Sequence, residues 1–113
     1  MKILLLANYN AGISNKGGVL KELSDILFNH FGKNTSVKIL MSHNEIREYT
    51  VSYLRKIRGK IVIISAGGGG TLRAVVEGIA FASKDRFPAR VCIAVLRMGF
   101  WWQPLCKVLY TLF

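Results

Sequence analysis

Short apolar runs alternate along this chain with segments of helical periodicity, and this alternation constrains the fold more than any other feature. Runs of this kind suit strands that are buried on both faces of a parallel sheet. The predicted strands are residues 3–7, 37–41, 61–65 and 91–96. The segments between them repeat apolar residues at the spacing of an amphipathic helix. The order β-α-β-α-β-α-β predicts an α/β fold with helices on both faces of a parallel sheet.

Helix ends carry their own signals. The first predicted helix covers residues 18–31 and ends at Gly32. The second begins at a capping box, in which Ser42 accepts from the Glu45 amide and the Glu45 side chain returns to the Ser42 amide. It is expected to end near Gly59. The third helix follows Thr71 and ends before residues 87–88.

Composition favours a folded domain with anionic partners. The 113 residues are 51% hydrophobic and 19% charged, which excludes a disordered chain. The net charge of +10 favours nucleotides, acidic lipid headgroups or nucleic acid without choosing among them. The densest basic run predicts either a solvated helix end or an anion-binding surface, and comprises Arg55, Lys56, Arg58 and Lys60.

Cysteine and histidine usage indicates no metal site. Cys92 and Cys106 lie in apolar runs and are predicted to be core thiols in a reducing cytosol. Neither forms a ligand-like cluster with His30 or His43, which are interpreted as a helix-face residue and a first-turn residue. Charged residues and a proline interrupt the apolar segment 91–113, so it is not expected to cross a membrane.

A glycine-rich turn is the strongest candidate site. Ligands of such sheets bind beyond the carboxyl ends of the strands, here residues 8–17, 42, 66–71 and 97–100. Glycines at the turn allow positive φ and close approach to a ligand. Amides at the following helix N-terminus favour phosphate. Thr71 is expected to cap that helix or to donate its hydroxyl to phosphate. The alternative is a tight strand-to-helix turn without a ligand.

Two common phosphate-binding motifs are absent. A dinucleotide fingerprint requires a third glycine where Leu72 and Arg73 stand. A P-loop requires lysine after its last glycine, where Gly18 stands instead.

Taken in order, the motifs resemble those of diacylglycerol and sphingosine kinases and related bacterial lipid kinases. Asn8-Tyr9-Asn10-Ala11-Gly12 resembles their N-P-x-[SA]-G loop. Gly67-Gly68-Gly69-Gly70-Thr71 and the residues behind it resemble their G-G-D-G-T signature. Ser42 stands where the family often has Thr, and residues 95–99 are similar to its I-L-P-L-G segment. The resemblance covers residues 2–99.

The resemblance implies a three-layer, Rossmann-like nucleotide-binding domain over residues 1–99, like the N-terminal domains of NAD kinases and diacylglycerol kinases. Residues 100–113 form an apolar tail where the family's second domain would follow. ATP, with Mg²⁺, would pass its γ-phosphoryl group to a diacylglycerol-like or sphingoid hydroxyl in phospholipid biosynthesis. The implied ATP-binding residues are Asn8, Ala11, Gly12, Ser42, Gly67, Gly68, Gly70 and Thr71. The implied location is the cytoplasm, or the membrane periphery.

The sequence departs from the family at several motif positions. Gly69 replaces the Asp of G-G-D-G-T, Arg73 and Ala74 replace Asn and Glu, and residues 100–103 replace T-G-N-D. No catalytic residue or metal ligand is therefore assigned.

Three hypotheses follow from these departures. The first is a lipid kinase, either complete or complemented by a second domain or by a second copy. The second is an inactive nucleotide-binding fragment. The third is a basic interaction protein that uses Arg97, Trp101 and Trp102 as a stacking surface for nucleic acid, which is the less favoured partner. A role at an anionic membrane surface is also open, with the interface contacted by Lys107, Val108, Leu109, Tyr110, Leu112 and Phe113.

Overall fold

Strands and helices alternate as the apolar pattern predicts. The computed structural model describes residues 1–9, 16–84 and 88–97, and the apolar tail 100–113 lies outside them. The elements are β1 (Lys2–Asn8), α1 (Lys16–Phe31), a 3₁₀ turn (Gly32–Asn34), β2 (Thr35–Leu40), α2 (His43–Lys56), β3 (Ile61–Gly67), α3 (Gly69–Ala82) and β4 (Val91–Arg97). The α/β class predicted from the sequence is therefore confirmed.

The four described strands form one parallel sheet in the order β2-β1-β3-β4. β1 is central, since Ala7 lies opposite Ile39 of β2 and Ala66 of β3. The chain leaves β1 toward one edge of the sheet and leaves β3 toward the other. The connections therefore diverge between β1 and β3, which is where open sheets of this kind hold their ligands.

Helices cover both faces of the sheet, as predicted. On one face Leu23 and Leu27 of α1 belong to a buried cluster with Leu5 and Ile64. On the other face the buried cluster contains residues of α2, α3 and the sheet: Ile46, Leu54, Val75, Ile79, Leu4, Leu6 and Ile63. β1 and β3 are buried from both sides, and this explains why their sequences are continuously apolar.

Helices α2 and α3 approach each other to backbone contact at Gly78. A methyl group on Gly78 would lie 2.7 Å from Thr50 Cβ and 2.8 Å from the Arg47 carbonyl oxygen. Thr50 is buried and donates its hydroxyl to the Ile46 carbonyl oxygen at 2.8 Å. The absence of a side chain at position 78 therefore sets how closely these two helices pack.

The N-terminus of α2 follows the predicted capping box in part. Ser42 is the N-cap, and its Oγ accepts from the Glu45 amide at 3.2 Å. The return bond differs, because the Glu45 carboxylate accepts from the Met41 amide at 3.1 Å instead of from Ser42. The reciprocal bond thus closes one residue earlier than the sequence predicts.

The C-terminus of α2 is held by a residue distant in sequence. The Arg90 guanidinium donates to the carbonyl oxygens of Leu54 and Ile57, both at 2.9 Å, and of Gly59 at 3.3 Å. The helix ends at Lys56, not near Gly59, because Ile57 is already extended. Gly59 itself has φ +86° in the connection to β3.

Cys92 corrects a second sequence prediction, because its thiol is exposed instead of buried in the core. The residue lies on β4, an outer strand of the described sheet. An outer strand is covered less completely than β1 or β3. Cys106 lies outside the described residues. In the described part of the chain, no helix combines the length and the apolar character needed to cross a bilayer.

Candidate functional site

The candidate site lies at the carboxyl-terminal end of the sheet, where β1, β2 and β3 end. Asn8 closes β1, Ser42 follows β2 as the N-cap of α2, and Gly67 closes β3. The carboxyl ends of parallel strands lie at the same end of the sheet. Ala11 and Gly12, which the resemblance also assigns to this site, lie outside the described residues.

The glycine turn is tighter than the sequence predicts. β3 continues through Gly67 and α3 begins at Gly69, so Gly68 alone joins them, with φ −98° and ψ −165°. Positive φ was expected at these glycines, but within the described residues the glycines with positive φ are Gly32 and Gly59. Conformational freedom is therefore not what glycine provides at this turn.

Two of the glycines lie close to neighbouring side chains. A methyl group on Gly67 would overlap the Thr71 side chain, with its Oγ1 nearest and its Cβ at 2.8 Å. A methyl group on Gly70 would lie 2.5 Å from Cε1 and 2.9 Å from Nε2 of His43. Gly68 and Gly69 differ, since nothing lies within 4 Å of a methyl group placed on either.

Asn8 and Thr71 form the floor of the site. Asn8 Nδ2 donates to Thr71 Oγ1 at 3.3 Å, and both residues are buried. The bond joins the end of β1 to the first turn of α3. Thr71 was expected to cap α3, but Gly68 is the N-cap and Thr71 lies inside the helix. Its hydroxyl oxygen instead accepts the hydrogen bond from Asn8.

The first turn of α3 presents its amides without a side-chain cap. Gly68 makes no side-chain capping bond, and the turn contains no acidic residue. The Leu72 amide bonds the Gly68 carbonyl oxygen at 3.2 Å, so the amides of Gly69, Gly70 and Thr71 precede the first intrahelical bond. Gly68, Gly69 and Gly70 are exposed. The amides of Gly69 and Gly70 can therefore receive an anion from solvent.

His43 is the site residue that sequence analysis missed. It is the first residue of α2, its side chain is exposed, and its ring lies against Gly70. The N-termini of α2 and α3 therefore lie close together at this end of the sheet, and each carries partial positive charge. The available signal was position, since His43 directly follows Ser42 at the end of β2.

Two further groups of charged residues lie outside the glycine turn. Beyond the first turn of α3, Glu77 pairs with Arg73 at 3.3 Å and with Arg47 of α2 at 3.5 Å. Arg73, which stands where the family has Asn, is thus engaged with a carboxylate. The exposed residues Arg55, Lys56, Arg58 and Lys60 span the C-terminal end of α2, at the opposite end of the sheet from the glycine turn. Their position supports the interpretation as a solvated helix end.

The exposed amides of this site suit an anionic group. Exposed, uncapped amides between two helix N-termini suit the phosphates of a nucleotide. The described part of the chain contains no cluster of three or more His, Cys, Asp or Glu side chains that could hold a metal ion. Gly69 has space for the carboxylate that the family carries there, but it supplies none.

Comparisons of the chain with protein-family models, with curated proteins and with solved structures found no match.

Proposed function

We propose that this chain is a nucleotide-binding domain that holds the phosphates of ATP at the glycine turn. The observation that carries the proposal is the first turn of α3, which is exposed and uncapped where the connections of the sheet diverge. Backbone amides and the helix dipole favour an anion there. The net charge of +10 acts in the same direction.

The finer proposal is that the domain belongs to a lipid kinase of the diacylglycerol or sphingosine kinase kind. It is supported by the bond between Asn8, where the first motif begins, and Thr71 of the second motif. In such an enzyme the turn would position the γ-phosphoryl group of ATP for transfer to a lipid hydroxyl. Fixed amides would stabilise the spread-out negative charge of that transfer.

A second candidate function is nucleotide binding without phosphoryl transfer. Gly69 offers no carboxylate, and the first turn of α3 contains no acidic residue. A chain with this turn could hold ATP through its amides while lacking a group to orient metal or acceptor. The two candidates share the binding step and differ only in turnover.

Substitutions at Gly68 test the binding step. Gly68 is extended and open, so either Ala or Asp fits without steric conflict. In Gly68→Asp the new carboxylate caps α3 and occupies the amides that phosphate would use. We expect Gly68→Asp to raise the unliganded melting temperature while losing the shift with ATP. Gly68→Ala is the matched control and should keep that shift.

The measurement is a thermal melt of the full chain with and without millimolar ATP. Ligand at 100 times its Kd adds about 2.7 kcal/mol to the free energy of unfolding. A wild-type melting curve that ATP does not move would contradict nucleotide binding. An equal ATP shift in Gly68→Asp would place the nucleotide elsewhere.

Turnover separates the two candidate functions. The wild type and Gly69→Asp are incubated with radiolabelled ATP, Mg²⁺ and diacylglycerol or a sphingoid base in mixed micelles. Labelled lipid from either protein supports the kinase proposal. ATP binding with no labelled lipid from both proteins favours the second candidate.

A further inference from the structure

We propose that the His43 imidazole is a phosphate-binding group of this site and donates a hydrogen bond to a phosphoryl oxygen held at the first turn of α3. The inference rests on the proposed nucleotide site and adds to it a side chain that the motifs do not contain. It assigns recognition of the phosphate to α2 as well as to α3.

Contact geometry places the ring at the turn. Nε2 and Nδ1 of His43 would lie 2.9 and 3.3 Å from a methyl group on Gly70, so both nitrogens are beside the second residue of α3. The side chain is exposed, whereas Asn8 and Thr71 on the floor of the site are buried. An anion that reaches the Gly70 amide from solvent therefore arrives next to the imidazole.

Two features of the fold allow the His43 ring to lie at the turn. Ser42 caps α2, with its Oγ accepting from the Glu45 amide, and this fixes the backbone at residue 43. Gly70 leaves the space that the ring occupies, since a methyl group there would lie within 3 Å of two ring atoms. An imidazole N–H is a hydrogen-bond donor in both the neutral and the protonated state.

The other histidine of the chain provides a matched control. His30 is also exposed, but it lies in the last turn of α1, with its ring 6.3 Å from that of Phe31. The C-terminus of α1 leads into the start of β2. It therefore lies at the amino-terminal end of the sheet, opposite the glycine turn. Replacing His30 changes the same residue type without touching the site.

The test compares the full-length wild type with His43→Ala, His43→Gln and His30→Ala. Isothermal titration with ATP and with inorganic tripolyphosphate gives a dissociation constant for each protein. His43→Ala should weaken both ligands roughly tenfold, the loss expected for one hydrogen bond to a charged group. Gln restores an N–H donor and should recover most of the affinity. His30→Ala should match the wild type.

Three results would count against the inference. If the wild type binds both ligands and His43→Ala binds them equally well, His43 has no such role and the proposed nucleotide site stands. If Gln fails to recover affinity in a protein with an unchanged unliganded melting temperature, the imidazole is not acting as a donor. If the wild type binds neither ligand, the proposed nucleotide site itself is wrong.

Discussion

At the residue scale, the buried polar groups near the site differ in how they are satisfied. Asn8 and Thr71 bond to each other across β1 and α3. Ser65 lies two residues before Gly67 in β3, is 1% exposed, and its Oγ has no hydrogen-bond partner among the described residues. A buried hydroxyl without a partner costs free energy because it has lost its bonds to water.

Replacing Ser65 with Ala should therefore stabilise the fold. Removal of the unsatisfied hydroxyl is expected to raise the free energy of unfolding by about 1 kcal/mol. Urea denaturation measures the change, and Ser52→Ala on the exposed side of α2 serves as a control with an expected change near zero. A loss of stability in Ser65→Ala would mean that the hydroxyl bonds a buried water molecule.

The glycine run shows how far sequence alone reaches at this scale. Four consecutive glycines after an apolar run locate the turn, and its place at the end of β3 is confirmed. Which glycines are required was not predictable, since the requirement comes from neighbours. The ring of His43, from another helix, lies against Gly70, whereas Gly69 faces open space.

At the element scale, some elements end at other residues than the hydrophobic periodicity predicts, because distant segments contact their ends. β3 was expected to end at Ser65 but continues to Gly67, because Ala66 and Gly67 pair with Leu96 and Arg97 of β4. Helix α2 ends at Lys56 instead of near Gly59, and there Arg90 donates to the carbonyl oxygens of Leu54 and Ile57. Local sequence encodes the helix caps but not partners that arrive from distant segments.

The contact between α2 and α3 gives a prediction for Gly78. Ala in a helix interior normally gains about 1 kcal/mol over Gly. At position 78, however, the methyl group would overlap Thr50 and the Arg47 carbonyl, and overpacking of this kind costs about 1–3 kcal/mol. We expect Gly78→Ala to lower the melting temperature. Gly69→Ala, in the open first turn of the same helix, should leave it unchanged or raise it.

A melting temperature of Gly78→Ala equal to that of Gly69→Ala would contradict the close helix contact. Far-UV circular dichroism of both variants confirms that each is compared in the folded state.

At the scale of the whole molecule, alternation predicted the class of fold and its two helical layers, while the strand order came from the structure. Many orders satisfy the same alternation, and hydrophobic pattern does not choose among them. Cys92 illustrates the consequence. Its apolar surroundings in sequence suggested a core thiol, but β4 lies at the edge of the described sheet and leaves it exposed.

Global stability should depend on pH in the alkaline range through Tyr53. Burial, and to a lesser degree the neighbouring Tyr49, raises the pKa of Tyr53 above its ordinary value near 10. The unfolded chain therefore releases this proton first, so its contribution to stability is intact below pH 10 and falls as the pH rises further.

Urea midpoints between pH 8 and 11 measure this dependence. Tyr53→Phe should lose stability less steeply above pH 10 than the wild type, because the titrating phenol is gone. Tyr9→Phe, at a position 50% exposed, should follow the wild type. Parallel curves for the wild type and Tyr53→Phe would show that the buried phenol does not contribute.

The Arg90 bonds bear on the order in which this chain matures on the ribosome. The carbonyl groups at the end of α2 bond the guanidinium of Arg90, which is synthesised 33 residues after Ile57. Until that residue emerges, water must solvate them and the last turn of the helix stays frayed. A nascent chain halted after α3 would thus lack both the guanidinium that bonds the end of α2 and the β4 residues that pair with Ala66 and Gly67 at the glycine turn.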